Sequence, residues 1–151
     1  MTTRIATVFG ATGLQGNSIV RALLKDGTFT PRVVTRDVNS GSAQVLAKLG
    51  CEIVAADLGD KEAVKKAVSG AECVFAVTFP FGSESSDLVQ GINIVDASKE
   101  ADVHFVTFST VPNISESSNG KYTKRRRRSK STWRRPVSPP HASQRAVSSR
   151  I

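Results

Sequence analysis

Val8-Phe9-Gly10-Ala11-Thr12-Gly13-Leu14-Gln15-Gly16-Asn17 is the stretch that decides the fold. It begins at the end of a short apolar run, Ile5 to Phe9, that reads as a buried parallel strand. It leads into Leu14 to Lys25, where Ile19, Val20, Leu23 and Leu24 recur at helical spacing until Gly27 stops the helix. A strand, a glycine-rich turn and a helix in that order give each glycine a separate task. Gly10 permits the tight turn out of the strand. Gly13 lets the backbone approach a pyrophosphate, and Gly16 lets the helix pack closely. The first N–H groups of the helix and its positive dipole end then face the phosphates. The expected ligand is a dinucleotide, with Gly10, Thr12, Gly13, Leu14, Gln15 and Gly16 as its first contacts.

The same alternation continues outward. Arg32 to Arg36, Cys51 to Ala56, Glu72 to Thr78 and Val103 to Ser109 read as further strands. Ala43 to Leu49 reads as a helix. Another starts from the N-cap Asp60 and runs to Val68. A fourth spans Leu88 to Ala101, with Leu88, Ile92 and Val95 stacked at i, i+4 and i+7. Strands alternating with helices at this spacing make βαβ units and a parallel sheet, with right-handed crossovers. The expectation is an α/β fold: a doubly wound parallel Rossmann sheet of five strands in the order 3-2-1-4-5. The pattern stops after Val111, where Ser, Asn, Gly and Arg dominate. No segment beyond Tyr122 shows usable periodicity, and the tail of residues 125–151 reads as disordered because it lacks apolar surface to bury.

In such a sheet the carboxyl ends of the later strands line the ligand. Val33-Val34-Thr35 runs into Arg36 and then Asp37. A basic residue here accommodates the 2′-phosphate of NADP, whereas an acidic one binds the ribose of NAD. Arg36, with its planar fork, predicts NADP. Asp37 leaves NAD as the alternative if its carboxylate faces the ribose rather than the following loop. Asp57 and Leu58 close the third strand where an adenine would lie, and Asp57 reads equally as a capping acid. Thr78 and Phe79 leave the fourth strand beside the expected nicotinamide, and the aromatic ring reads either as its wall or as filling at the sheet edge.

The net charge of +8 is not a property of the whole chain. Residues 1–120 carry a balance of −3, and residues 121–151 carry +11 with no acidic residue. The domain expected over residues 1–124 is therefore slightly acidic, and residues 125–151 form a basic tail. Cys51 and Cys73 each open a strand without metal-like spacing, so both read as small buried hydrophobes in a reducing compartment. No secretory signal pattern opens the chain. No apolar run approaches the roughly 20 residues of a membrane helix. These features predict a cytoplasmic location, with the nucleus as the alternative, and no membrane contact.

Val8 to Asn17, Val33 to Asp37, Gln90-Gly91-Ile92-Asn93-Ile94-Val95-Asp96-Ala97 and Phe105 to Ser109 together resemble the NmrA-like family. These are atypical short-chain dehydrogenase/reductases related to isoflavone reductases. The resemblance covers about residues 3–124. It implies a Rossmann fold, NAD(P) binding, and either reductase activity or a redox-sensing regulatory role. It carries the family's glycine motif onto Gly10, Gly13 and Gly16, and its phosphate-binding arginine onto Arg36. The second basic residue of the family pattern has no match in Asn39 to Ser42. A Tyr-x-x-x-Lys catalytic pair has none either, because Tyr122 is followed at that spacing by Arg126. Ser109 stands where the superfamily often has its serine, but without such partners. The resemblance thus implies dinucleotide binding, with neither a catalytic pair nor a substrate domain visible.

After Lys124 the family pattern gives way to the arginine-rich tail, which predicts a truncated member whose last residues are not the native continuation. Codons TCG ACG TGG AGG AGG can encode Ser131 to Arg135, and with that choice the same bases, read one base earlier after a G, would spell Val-Asp-Val-Glu-Glu, an acidic segment of the family kind. An active NADPH-dependent reductase is the first alternative. A nucleic-acid-binding or nuclear-targeted regulator, acting through Arg125–Arg128, Lys130, Trp133, Arg134 and Arg135, is the second. The expected partners are the dinucleotide and a small-molecule substrate or regulatory protein, rather than nucleic acid.

Overall fold

Residues 4–79 and 85–109 are described by the computed structural model. In chain order they form β1 (Ile5–Phe9), α1 (Leu14–Asp26), β2 (Thr30–Thr35), α2 (Gly41–Lys48) and β3 (Glu52–Ala55). Then follow α3 (Lys61–Val68), β4 (Cys73–Ala76), α4 (Asp87–Glu100) and β5 (Phe105–Phe108). The five strands pair in the order β3-β2-β1-β4-β5, and every pairing is parallel. The chain thus has the α/β Rossmann-type sheet that its pattern predicts. The tail of residues 125–151, Tyr122, His141 and residues 80–82 lie outside the described residues.

Successive residues on a strand point to opposite faces, and the two cores follow from that period. Val8 of β1 and Val33 of β2 pack with Val20 of α1 and Leu46 of α2. Their neighbours Phe9 and Val34 pack on the other face with Val64 and Val68 of α3 and Ile94 and Ala97 of α4. Helices therefore cover both faces, as buried parallel strands require. β2 starts earlier than expected and includes Pro31. Thr30 donates to Arg4 O on the β1 side. Pro31, with no N–H, therefore faces the β3 side, where pairing begins only at Arg32 opposite Glu52.

Arg32 sits in this central strand and is only 8% exposed. Its Nη1 donates to the carbonyls of Ala67 at 3.1 Å and Ser69 at 2.6 Å. Thr7 Oγ1 donates to the same Ala67 oxygen. A cation thus closes the C-terminal end of α3, where orphan carbonyls and the negative dipole end collect. Arg32 Nε lies 3.0 Å from Oε2 of Glu52, but it makes no aligned hydrogen bond. The two carbonyl bonds are what fix the guanidinium.

On the outside of the α3–α4 pair, Lys61 and Lys65 both reach Glu100, at 3.0 and 2.9 Å. Hydrogen bonds from Lys65 and Lys61 hold the Glu100 carboxyl down at about 2, from an ordinary 4.5. Bonding to Glu100 raises both lysines above their ordinary 10.5. A depressed carboxyl stabilises the fold above its unfolded value and loses that contribution as pH falls through its folded value. A raised lysine contributes below its unfolded value and loses its contribution as pH rises. Glu100→Gln should therefore lower the melting temperature slightly across neutral pH. Its melting curve and that of the wild type should converge between pH 4.5 and about 2. A gap unchanged at pH 2 would refute the ion-pair origin.

The helical stack expected in α4 is not the buried face. α4 buries Gln90, Gly91, Asn93, Ile94, Ala97 and Ser98, while Ile92 is 36% exposed. Leu88 and Val95 are only partly covered. A helix that turns two carboxamides inward needs partners for them, and those partners lie at the carboxyl edge of the sheet.

Candidate dinucleotide-binding site

The carboxyl ends of β1, β2, β3 and β4 surround a cleft of about 300 Å³. The first wall is the turn after β1. Gly10 has φ +67°, a left-handed conformation that glycine adopts without penalty. Gly13 is the N-cap of α1, and its N–H donates to Gly10 O at 3.0 Å. A side chain on Gly16 would overlap the Gly10 carbonyl and the Ala11 backbone. The helix start thus lies directly on the turn. No acidic residue occupies the first turn of α1, so its positive end is not neutralised from within.

Of the residues expected from sequence, Gly10, Thr12, Arg36, Asp57, Leu58 and Phe79 line the cleft. Gly13 and Gly16 shape the turn behind it. Leu14 and Gln15 open α1 outside the cleft lining. Leu14 is 93% exposed, and Gln15 Oε1 accepts from Ser109 Oγ at 2.8 Å. Thr78 is buried beneath the rim rather than in the lining.

The two acidic residues bend onto their own loops. Asp37 Oδ1 accepts the Asn39 N–H at 2.9 Å, and the Asp37 carbonyl accepts from Ser40 Oγ at 2.8 Å. Asp37 thus caps its own loop while still lining the cleft beside Arg36. Asp57 Oδ1 likewise accepts the Gly59 N–H at 2.7 Å. Asp60 caps α3 as expected, through Glu62 N and Ala63 N. Both cysteines are free, and burial raises the Cys51 thiol and, together with Glu72, the Cys73 thiol. Neither is poised as a thiolate.

Sequence reasoning assigned no task to Gln90 or Asn93, although both lie in a segment that carries the family resemblance. Gln90 lines the cleft and holds Phe79. Asn93 Nδ2 donates to Leu58 O at 2.9 Å and Gly59 O at 3.1 Å. The signal available in the sequence was their spacing: three residues apart on a helix, they share one face. Among the described residues no cluster of His, Cys, Asp and Glu could hold a metal ion, and no helix is long and apolar enough to cross a membrane.

A parallel sheet with a glycine turn feeding a helix N-terminus, and a cleft at the carboxyl edge, defines a dinucleotide-binding type of Rossmann domain. The chain belongs to the NmrA-like family, whose model matches residues 1–137. An NmrA-like family domain-containing oxidoreductase of Malbranchea aurantiaca is 42% identical over 128 residues, covering 78% of this chain and 38% of the relative. An NADPH-dependent quinone oxidoreductase from Escherichia coli, solved with NADPH, is 28% identical with a TM-score of 0.60. That match covers 71% of this chain and 36% of the other. A triphenylmethane reductase of Citrobacter sp., solved with NADP(H), is 27% identical with a TM-score of 0.63, covering 74% and 39%. The chain spans less than two fifths of the length of these curated relatives.

Proposed function

We propose that residues 1–124 form an NADP(H)-binding domain of oxidoreductase type. The residues assigned to the dinucleotide are Gly10, Thr12, Gly13, Leu14, Gln15, Gly16, Arg36, Asp57, Leu58, Thr78 and Phe79. The observation that carries this reading is the far end of the cleft. There Arg36 lines the cavity while the neighbouring carboxylate of Asp37 is engaged by the Asn39 N–H. A guanidinium suits a 2′-phosphate, and Asp37, which also lines the cleft, already has one carboxylate oxygen engaged by its own loop. The absence of any side chain at Gly10, Gly13 and Gly16 fits a pyrophosphate against the turn. A cleft of about 300 Å³ matches the lower end of ligand-pocket volumes, the size of the adenosine end of a dinucleotide. The NADPH-bound neighbours support the same cofactor.

When bound, NADPH would supply hydride to an acceptor, and this chain's residues would hold and orient it. The two free cysteines fit a reducing compartment, and we place the protein in the cytoplasm.

Titrating the protein with NADPH and NADH tests the reading. NADPH should bind more tightly. Arg36→Ala should weaken NADPH roughly ten- to a hundredfold and leave NADH nearly unchanged, because only one of the two carries the 2′-phosphate. Equal affinities in the unmodified protein would sink the NADP assignment.

A further inference from the structure

We propose that Gln90 is a positioning residue of the dinucleotide cleft: its carboxamide grips the Phe79 backbone from both sides and so sets the aromatic ring against Gly10. The inference rests on the dinucleotide reading of the cleft. Gln90 is fully buried on the sheet-facing side of α4. Its Oε1 accepts the Phe79 N–H at 2.9 Å. Its Nε2 donates to Phe79 O and Ser85 O, each at 3.0 Å. Both amide protons and one carbonyl lone pair are thus committed to backbone. A fully buried glutamine is unusual, since an apolar side chain would fill the same space without desolvating a carboxamide. Here the carboxamide meets a specific need. Phe79 lies beyond the end of β4, where the sheet no longer pairs its peptide groups.

The consequence reaches the ligand through the ring. A Cβ built on Gly10 would stand 2.8 Å from Phe79 Cζ and 2.6 Å from Val77 Cγ1. The ring therefore lies over the α-carbon of the first glycine, and Phe79 also lines the cleft. With both peptide groups of Phe79 held, the ring has one approach to the cleft. Without the clamp it would lose its fixed relation to the glycine turn, and the cleft would have to reorganise on binding.

Two measurements test this. In the unmodified protein the Phe79 amide should exchange slowly with solvent, although it lies outside the β4 ladder. Fast exchange would overturn the clamp without any variant. NADPH and adenosine 2′,5′-bisphosphate are then titrated against Gln90→Met, Phe79→Ala and the double variant, each checked for folding by thermal melt. Gln90→Met should weaken both ligands roughly tenfold, as loss of a buried hydrogen-bonding group does. In the double variant the loss should not exceed that of Phe79→Ala alone, because Gln90 acts through that side chain. A merely structural glutamine would give additive losses, and additivity, or a folded Gln90→Met chain that binds like the wild type, overturns the inference alone. If the unmodified protein binds neither ligand, the dinucleotide reading fails and the inference goes with it. Should Gln90→Met not fold, the Phe79 amide exchange and the binding of Phe79→Ala decide: slow exchange with weakened binding supports the inference, and either opposite result overturns it.

Discussion

Gly16→Ala is expected to cost more than about 3 kcal/mol, a large share of the roughly 5–15 kcal/mol that holds a domain together. The new methyl would overlap the Gly10 carbonyl and stand 2.6 Å from Ala11 Cα. Both obstacles are backbone, so no side-chain rotation relieves them. Either α1 lifts from the turn or the turn loses its shape, and Val20 then leaves the core it shares with Val8, Val33 and Leu46. Urea unfolding followed by circular dichroism should show a much lower midpoint, or no cooperative transition. Gly13→Ala is the informative contrast. Its Cβ would come no nearer than 3.4 Å to Gly10 O, and its φ of −89° suits alanine. That variant should stay folded and lose affinity for the dinucleotide. Two glycines three residues apart in one motif would then separate, one serving the fold and the other the ligand. A Gly16→Ala protein as stable as the wild type would refute the close approach.

Arg32→Ala should destabilise the protein by about 3 kcal/mol, from a side-chain void and from carbonyls left without their donor. Ala67 O keeps Thr7 Oγ1, so the larger share of the loss falls on Ser69 O, which accepts from Arg32 at 2.6 Å. Arg32→Met refills most of the volume and should recover part of the loss, which separates packing from hydrogen bonding. Glu52→Gln should matter little, because Glu52 is 45% exposed and its ion pair lacks an aligned hydrogen bond. Urea midpoints at constant m-value give the comparison. A Glu52→Gln loss as large as that of Arg32→Ala would show that the ion pair, rather than the α3 carbonyls, anchors the arginine.

The parts of this protein that follow from local rules were readable in its sequence. Short apolar runs alternating with helical segments placed the strands, and Asp60 and Gly27 marked helix ends through their own backbone chemistry. The glycine turn was legible because each glycine answers a local steric demand. What escaped depends on residues distant in sequence. Arg32 looks like an ordinary residue at a strand start until α3 brings two carbonyls to it across the sheet. In α4 the apolar stack Leu88, Ile92, Val95 suggested the buried side, yet the helix turns Gln90 and Asn93 inward. No periodicity in α4 alone encodes carbonyls at Leu58, Gly59, Phe79 and Ser85 waiting for donors. The orientation of Asp37 was open for a related reason, since a carboxylate two residues before a free amide has two competing uses.

The gripping of two loops by one helix also bears on the order in which the chain is made. The turn after β1 and the ends of β2, β3 and β4 leave the ribosome before α4 does. Until Gln90 and Asn93 have emerged, the loops at 58–59 and 79 lack the donors that hold them in the finished molecule. A nascent chain ending before residue 90 would carry every glycine of the motif and the arginine at 36 without a settled cleft between them. The ability to select a nucleotide would then arrive abruptly during synthesis, with the emergence of a helix whose buried face carries no charge.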